Sequence, residues 1–380
     1  MDRKNFTIRY DDDVDISQTV GFLEGKVRFC SFSELLNKLY DGVEPIQTRL
    51  TNKLTEYDGA EDGDKAARKV RNWMHGRNLP GNREELFKIC FALQLDLKKT
   101  ERLLGTTADN GIHYRNPREL IYGFCLKKGE DYPKARALAE RLWGEPLPSG
   151  TLEYQETLRD FRGGVESCCE MTSSIRNKFK RLETEEELEA FLKEYRSSLG
   201  FHHNTAYRKF TIMLQYLLFP KMENQDLPHE KAYSVNRVVE EYLRMGMPYD
   251  KKSSGYTRIQ KEIKKHWPTA KTINEMYRRK MDVDRKTLLL LYLATEGMIV
   301  AEKEDRDSWA ALHRRRMDLM LTECGMAVLD LHSPFDYLIM QAIRREQEED
   351  FMSLRMEWML RKIFSGKRPA AYIGTERKKH

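Results

Sequence analysis

A run of cationic and amide side chains lies along one predicted helix, and its chemistry suits an anionic polymer. The stretch from about Lys65 to His75 carries apolar residues at helical spacing, so its polar residues share the opposite side. Lysine and arginine pair with phosphate, and arginine and asparagine also match the edges of guanine and adenine in a major groove. Read instead as an ordinary packed helix, the stretch would simply have a polar surface. The candidate DNA-binding residues here are Arg68, Lys69, Arg71, Asn72 and Arg77.

A second stretch, about two hundred residues further on, has a similar character. Residues 269–279 read TAKTINEMYRR and predict a short helix after Pro268, with Ile273 on its apolar side. The stretch is basic, and Lys271 suits phosphate or guanine, although Glu275 on the same helix does not suit phosphate. This stretch is expected to hold a nucleic-acid backbone without reading base sequence. Its candidate DNA-binding residues are Lys271, Arg278, Arg279 and Lys280.

The net charge of the 380-residue chain is mild, but it is unevenly distributed. The whole chain carries +6 at pH 7. Residues 1–64 hold 8 Lys and Arg against 14 Asp and Glu, a net charge of −6, whereas residues 251–316 hold 17 against 9, a net charge of +8. This asymmetry predicts that a face of the second part meets a polyanion, unless it is only a solvated helical surface.

No catalytic motif is present in the sequence. It contains no Gly-rich phosphate loop, no HExxH, no nucleophile elbow and no zinc-ligand spacing. The six cysteines form no CxxC pair, and Cys90 and Cys125 are expected to be core residues. We therefore expect no enzyme, no cofactor and no metal site, although an enzyme of unfamiliar type stays open.

The composition predicts an all-α protein outside membranes. Stretches rich in Leu, Lys, Glu and Arg with few Gly or Pro are typical of helices. No apolar run is long enough to cross a bilayer, and the first residues do not resemble a signal peptide. The expected location is the cytoplasm, and no membrane partner is expected.

The stretch from Val70 to Leu104 resembles a known domain. Val70, the Gly76-Arg77 turn, Pro80 and an apolar helix over Leu86–Leu93 follow the order found in the second half of lambda-repressor/Cro-like (XRE-type) helix-turn-helix domains. The resemblance implies base contacts from Ala67, Arg68 and Asn72 in the first stretch. In the second stretch it implies Ala270, Lys271 and Glu275. Residues 46–57 are expected to form the first helix of this unit. The family also implies a full second helix between that helix and the recognition helix, where this sequence offers only the acidic loop of residues 58–64.

The sequence pattern of the first unit restarts after residue 232. Aligning Asn82 with Asp284, the predicted caps of two apolar helices, places Val70 on Ile273 after a one-residue gap. After a charged insertion at residues 300–316, Pro334 corresponds to Pro117 and each begins an apolar helix. These matches predict an internal duplication of a unit of about a hundred residues.

The predicted architecture is two repressor-like helix-turn-helix bundles, each followed by a helical hairpin and joined by a helical connector. The expected parts are an N-terminal arm and helix (1–42), a first unit with its hairpin (43–146), a connector (147–232), a second unit with its hairpin (233–366) and a basic tail (367–380). Two units on one chain share a single association cost, so weak phosphate contacts add.

Two functional hypotheses follow from this architecture. The first is a transcriptional regulator that binds double-stranded DNA through duplicated helix-turn-helix units. The alternative is a non-enzymatic helical adaptor that binds a protein partner, within a phage-defence or nucleoprotein assembly. The basic second part and the Arg68–Asn72 pattern favour the first hypothesis, and the acidic loop and Glu275 favour the second.

Overall fold

The chain folds into α-helices throughout the part that the structure describes. This computed structural model describes residues 31–59, 63–108, 111–144, 171–200, 204–219, 233–249, 255–265, 267–296, 306–331, 333–344 and 351–364. Within these ranges the chain forms seventeen α-helices, one π-helical turn and no strand. The prediction of an all-α fold is therefore confirmed.

Two hydrophobic cores organise the helices. One contains buried apolar side chains from Phe32 to Leu199, and the other contains those from Ala206 to Phe364. We call residues 31–200 the first half and residues 204–364 the second half. Because such short helices are unstable alone, packing against one of these two cores is what stabilises each of them.

The first half contains nine helices in its described residues. They are α1 (Phe32–Leu39), α2 (Ile46–Asp58), α3 (Gly63–Met74), α4 (Arg83–Ala92), α5 (Leu97–Ala108), α6 (Pro117–Lys128), α7 (Tyr132–Leu142), α8 (Thr172–Phe179) and α9 (Glu185–Glu194). Helix α1 packs against α3 and α5, and α2 packs against α3 and α4. Helix α2 matches the helix predicted over residues 46–57 and lies directly before α3, which begins at Gly63, so the acidic loop is shorter than the predicted residues 58–64.

The second half contains eight α-helices and one π-helical turn in its described residues. Its helices are α10 (Asn204–Leu218), α11 (Val235–Val238, continued by a π-helical turn over Val239–Leu243), α12 (Arg258–Lys264), α13 (Ala270–Tyr277), α14 (Arg285–Ala294), α15 (Arg306–Glu323), α16 (Pro334–Ala342) and α17 (Met352–Phe364). Residues 306–316, predicted as part of a charged insertion, instead form the first part of α15.

The described parts of the predicted connector divide between the two cores. Helices α8 and α9 contribute buried side chains to the first core, and α10 contributes to the second. Helix α10 packs against α11, α13 and α14. Helix α10 therefore lies beside α13.

The predicted caps define where several helices begin. The side-chain oxygens of Asn82, Asp96 and Asp284 each accept a backbone N–H three residues later, at 2.8, 2.7 and 2.6 Å. Ser31 with Glu34 and Thr184 with Glu187 form capping boxes, as their spacing of three residues predicts. Each such cap stabilises its helix by about 1 kcal/mol.

An ion pair between an arginine and a carboxylate joins two helices in each half; it is buried in the second half, whereas Arg83 in the first half is half-buried. Arg83 follows the Asn82 cap and donates from two nitrogens to the Glu119 carboxylate, both at 2.7 Å. Arg285 follows the Asp284 cap and donates to the Asp336 carboxylate at 2.7 and 2.6 Å. Each guanidinium also donates, at 2.7 Å, to a carbonyl of the loop before the acidic residue's helix. The pair thus joins α4 to α6 in the first half and α14 to α16 in the second.

The described cysteines are core residues, as predicted for Cys90 and Cys125. Together with Cys324 they are buried free thiols. Burial raises the pKa of each thiol to about 12, which keeps it protonated at neutral pH. Within the described ranges, no group of three or more His, Cys, Asp or Glu could hold a metal ion, and no helix could cross a membrane.

Several segments with recognisable sequence patterns lie outside the described residues. Alternating residues 6–10 predict a short strand, the acidic residues 11–15 predict a solvated loop, and residues 144–150 predict a linker, of which 145–150 are not described. Cys168-Cys169, His202-His203 and the basic residues 377–379 also lie outside the described residues.

Candidate nucleic-acid interface

Helix α3 turns one face into the first core, and this fixes what its other face can do. Ala66, Val70 and Trp73 recur at helical spacing and are buried, with Val70 at 0% exposure. They meet α1 and α2, which pack against this helix. Since the apolar side is held inward, the residues between these positions face outward.

The outward face of α3 holds the residues predicted from the sequence. Arg68, Lys69 and Arg71 are exposed, and Asn72 is half-buried beside them. Arg77 is exposed in the turn that follows. Exposed Lys65 and His75, one helical turn away at either end of the face, were not chosen from the sequence. Their spacing of three residues from Arg68 and from Asn72 would have identified them.

The positive charge of this face is concentrated on its arginines. Lys69 forms an ion pair with Glu85 at 2.6 Å. Burial raises the pKa of Glu85, but Lys69 and the Gly81 N–H lower it further, so it lies below 4.5. No ion pair with a described residue involves Arg68, Arg71 or Arg77, all three of which were predicted for this site. Their guanidinium groups therefore remain available to an anion outside the chain.

A tight turn ends α3 and holds Arg77 outward. Gly76 has a left-handed backbone (φ 68°), and its N–H donates to the Trp73 carbonyl at 3.1 Å. The Arg77 N–H donates to the Asn72 carbonyl at 2.9 Å. This pair of bonds closes the C-terminus of the helix, and glycine adopts the required conformation without a steric penalty.

Helix α13 in the second half is anchored in the same manner but exposes less. Ile273 and Met276 are buried, and between Ala270 and Tyr277 only Lys271 is fully exposed. Lys271 is 83% exposed and lies 3.8 Å from the Glu275 carboxylate. An exposed pair of this kind contributes at most about 0.5 kcal/mol, so it leaves Lys271 free to move.

The cationic residues after α13 divide into two environments. Arg278 and Lys280 are exposed at the end of the helix, where they also offset the negative end of its dipole. Arg279 is half-buried, with its guanidinium 4.0 Å from the centre of the Tyr207 ring and donating to Asn204 Oδ1 at 3.2 Å. The structure therefore uses Arg279 in packing and does not bring it to an open surface.

Comparison with known proteins adds no assignment. No protein-family model, no curated protein and no solved structure matches this chain. Of the surfaces described, the α3 face offers unpaired guanidinium groups beside an amide, which suits binding to phosphate and base edges.

Proposed function

We propose that this protein binds double-stranded DNA through the exposed face of α3 and regulates transcription as a helix-turn-helix protein. The observation that carries the proposal is the division of α3 into a buried side and a cationic side. Val70 lies at the centre of the buried side, and Arg68, Arg71 and Arg77 lie on the exposed side. A rigid helix with this division can present its side chains to a groove without disturbing its own core.

We also infer that the two halves contain diverged copies of one helix-turn-helix unit with an appended hairpin. Helices α1–α7 and α11–α17 occur in the same order. The caps at Asn82 and Asp284 each precede an arginine that pairs with an acid on the sixth helix. Gln94 and Glu296, each twelve residues after its cap, both have left-handed backbones, at φ 51° and 47°. A shared origin accounts for all of these correspondences together.

The proposal is tested by measuring DNA affinity as a function of salt. Fluorescence anisotropy of a labelled duplex of random sequence would be followed at about 50 and about 200 mM salt, a range over which three phosphate contacts lose about 40-fold in affinity. We expect such a loss for the full chain. A folded protein that does not bind at the lower salt would contradict DNA binding.

The site itself is tested by Arg68→Ala combined with Asn72→Ala. We expect about fivefold weaker binding and a shallower salt dependence, because one phosphate or base contact is lost. A matched control is Arg136→Ala with Asn37→Ala, which removes the same residue types from exposed positions on α7 and α1. Unchanged affinity in the first variant would remove these residues from the interface.

A protein-binding adaptor is the second candidate function. It is favoured by Glu275 on the exposed side of α13 and by Glu85, which offsets Lys69 on α3. Carboxylates at these places oppose phosphate but suit a partner protein with its own cations. Failure of DNA binding by a folded chain would favour this candidate.

A further inference from the structure

The turn after α13 is packed from both sides, whereas the turn after α3 is open. Residues 75–79 after α3 are all exposed. In the second half, the corresponding turn places Arg279 and Asp282 in half-buried positions. The backbone hydrogen bonds of the two turns match, so the difference arises from what surrounds them.

Helix α10 covers one side of the second turn. The Tyr207 hydroxyl donates to the Tyr277 carbonyl at 2.9 Å. The guanidinium of Arg279 stacks on the same tyrosine ring and donates to Asn204. These contacts hold the last turn of α13 against the first turn of α10.

The first half covers the other side of this turn. His113 Nε2 lies 2.8 Å from Asp282 Oδ2. The Arg115 N–H donates to His113 Nδ1 at 3.2 Å, so Nδ1 is the acceptor and Nε2 carries the proton donated to Asp282. Burial lowers the pKa of Arg83, but the carboxylates of Glu119 and Asp282 raise it further, so it lies above its ordinary value.

Close backbone approaches lie beside this contact. A Cβ added to Gly325 would lie 3.0 Å from Thr172 Cγ2 and 3.5 Å from Tyr114 Cδ2. A Cβ added to Gly105 would lie 3.4 Å from the Cβ of Ala327. The two halves therefore meet at short range at both glycines, and at Gly325 a side chain larger than hydrogen would force Thr172 to shift.

We infer that the second turn is an internal docking element and that DNA is held chiefly by the first half, so that one chain reads one half-site. This inference rests on the proposed function. A helix with its side chains is about 10–12 Å wide and fills a major groove of about 12 Å. Helix α10 and the His113 loop lie beside the end of α13, where the walls of a groove would have to pass. By contrast, residues 75–79 at the end of α3 are all exposed.

The docking itself is tested without DNA, by hydrogen exchange of the full chain. In the variant Arg279→Gly with Asp282→Ala, we expect about tenfold faster exchange at residues 111–116 and 204–211, with the helices of both cores still protected. Arg278→Ala with Lys280→Ala is the control from the exposed positions of the same turn. Unchanged exchange in the first variant would overturn the docking role.

The division of labour is tested with two triple variants that each remove three positive charges. One is Arg68→Ala, Arg71→Ala and Arg77→Ala, and the other is Lys271→Ala, Arg278→Ala and Lys280→Ala. On a random duplex, we expect the first to lower the slope of log affinity against log salt by about 2–3 and the second by less than about 1. An equal loss in both would overturn the inference.

The outcomes separate the inference from the function on which it rests. If the unmodified chain binds DNA and only the second triple variant weakens it, the proposed function stands and the inference fails. If the unmodified chain does not bind DNA, the proposed function fails, and the exchange experiment still decides whether the second turn docks.

Discussion

Helices α3 and α13 end in turns with the same backbone hydrogen bonds, yet they face different surroundings. In both, an N–H donates to the carbonyl three residues before it, and the next N–H donates to the carbonyl five residues before it. Val70 and Ile273, the apolar anchors of the two helices, are both at 0% exposure. The outward side of α3 is open, whereas α10 and the first half flank the end of α13. The local pattern thus sets the shape of a turn, and the neighbouring elements set its use.

The left-handed residue of each turn reflects this difference. Gly76 has φ 68°, and a Cβ added to it would have no atom within 4 Å, so a side chain at this position would meet only solvent. Arg279 at φ 54° occupies the corresponding position, although a side chain is strained there. Its stacking on Tyr207 offsets that strain, which a solvent-exposed turn could not do.

The largest expected effect comes from breaking the ion pair in each half. Asp336→Ala leaves Arg285 buried without its carboxylate, since their side chains are only 3% and 9% exposed. We expect a loss of about 3–5 kcal/mol in the free energy of unfolding of the second half. Glu119→Ala should cost less, about 1–2 kcal/mol, because Arg83 is 32% exposed and water can replace the carboxylate.

These values can be measured by urea unfolding followed by circular dichroism, with hydrogen exchange to assign each transition to one half. The order of the two effects is the sharper criterion. A larger loss for Glu119→Ala than for Asp336→Ala would show that burial does not control the strength of the pair.

An intermediate effect is expected from exchanging residue types at the left-handed positions. Gly76→Ala should destabilise the first half by about 1 kcal/mol, because an alanine at positive φ is strained and gains no contact. Arg279→Gly should change stability by less than about 0.5 kcal/mol, because relief of strain is offset by the lost stacking and by greater freedom of the unfolded chain.

Thermal and urea unfolding of the two variants would check this comparison. A loss from Arg279→Gly as large as that from Gly76→Ala would mean that the stacking on Tyr207 is stronger than we infer.

The smallest expected effect concerns the Lys69–Glu85 pair, which has no counterpart in the second half because Thr272 and Thr287 occupy the corresponding positions. The folded-state pKa of Glu85 is below its ordinary value of 4.5. A depressed pKa stabilises the folded state above pH 4.5, and this contribution is lost as pH falls through the lower folded-state value. Because Lys69 is largely solvated, we expect only about 0.5 kcal/mol.

The measurement is the difference in unfolding free energy between the unmodified chain and Glu85→Gln, taken from neutral pH down to about pH 3. The difference should shrink on acidification. Glu186→Gln, at an exposed position on α9, serves as the control. A difference that grows as the pH falls would contradict the sign of the pKa shift.

The sequence by itself determined the helices and their starts. Apolar spacing located α3 and α13 to within a few residues, and Asn82 and Asp284 were predicted as caps that the structure confirms. It also placed Arg68 and Arg71 on the outward side of α3, where they lie. These features follow from contacts within a few residues along the chain, which spacing and residue type encode directly.

Only the tertiary structure decided which of the predicted residues are available. Lys69 meets Glu85, Arg279 meets Tyr207, and His113 meets Asp282 across 169 positions of sequence. The packing of α1 against α3 and α5 likewise became visible only in the folded chain. Such contacts depend on how distant helices pack, and the spacing of residues within one helix carries no information about its neighbours.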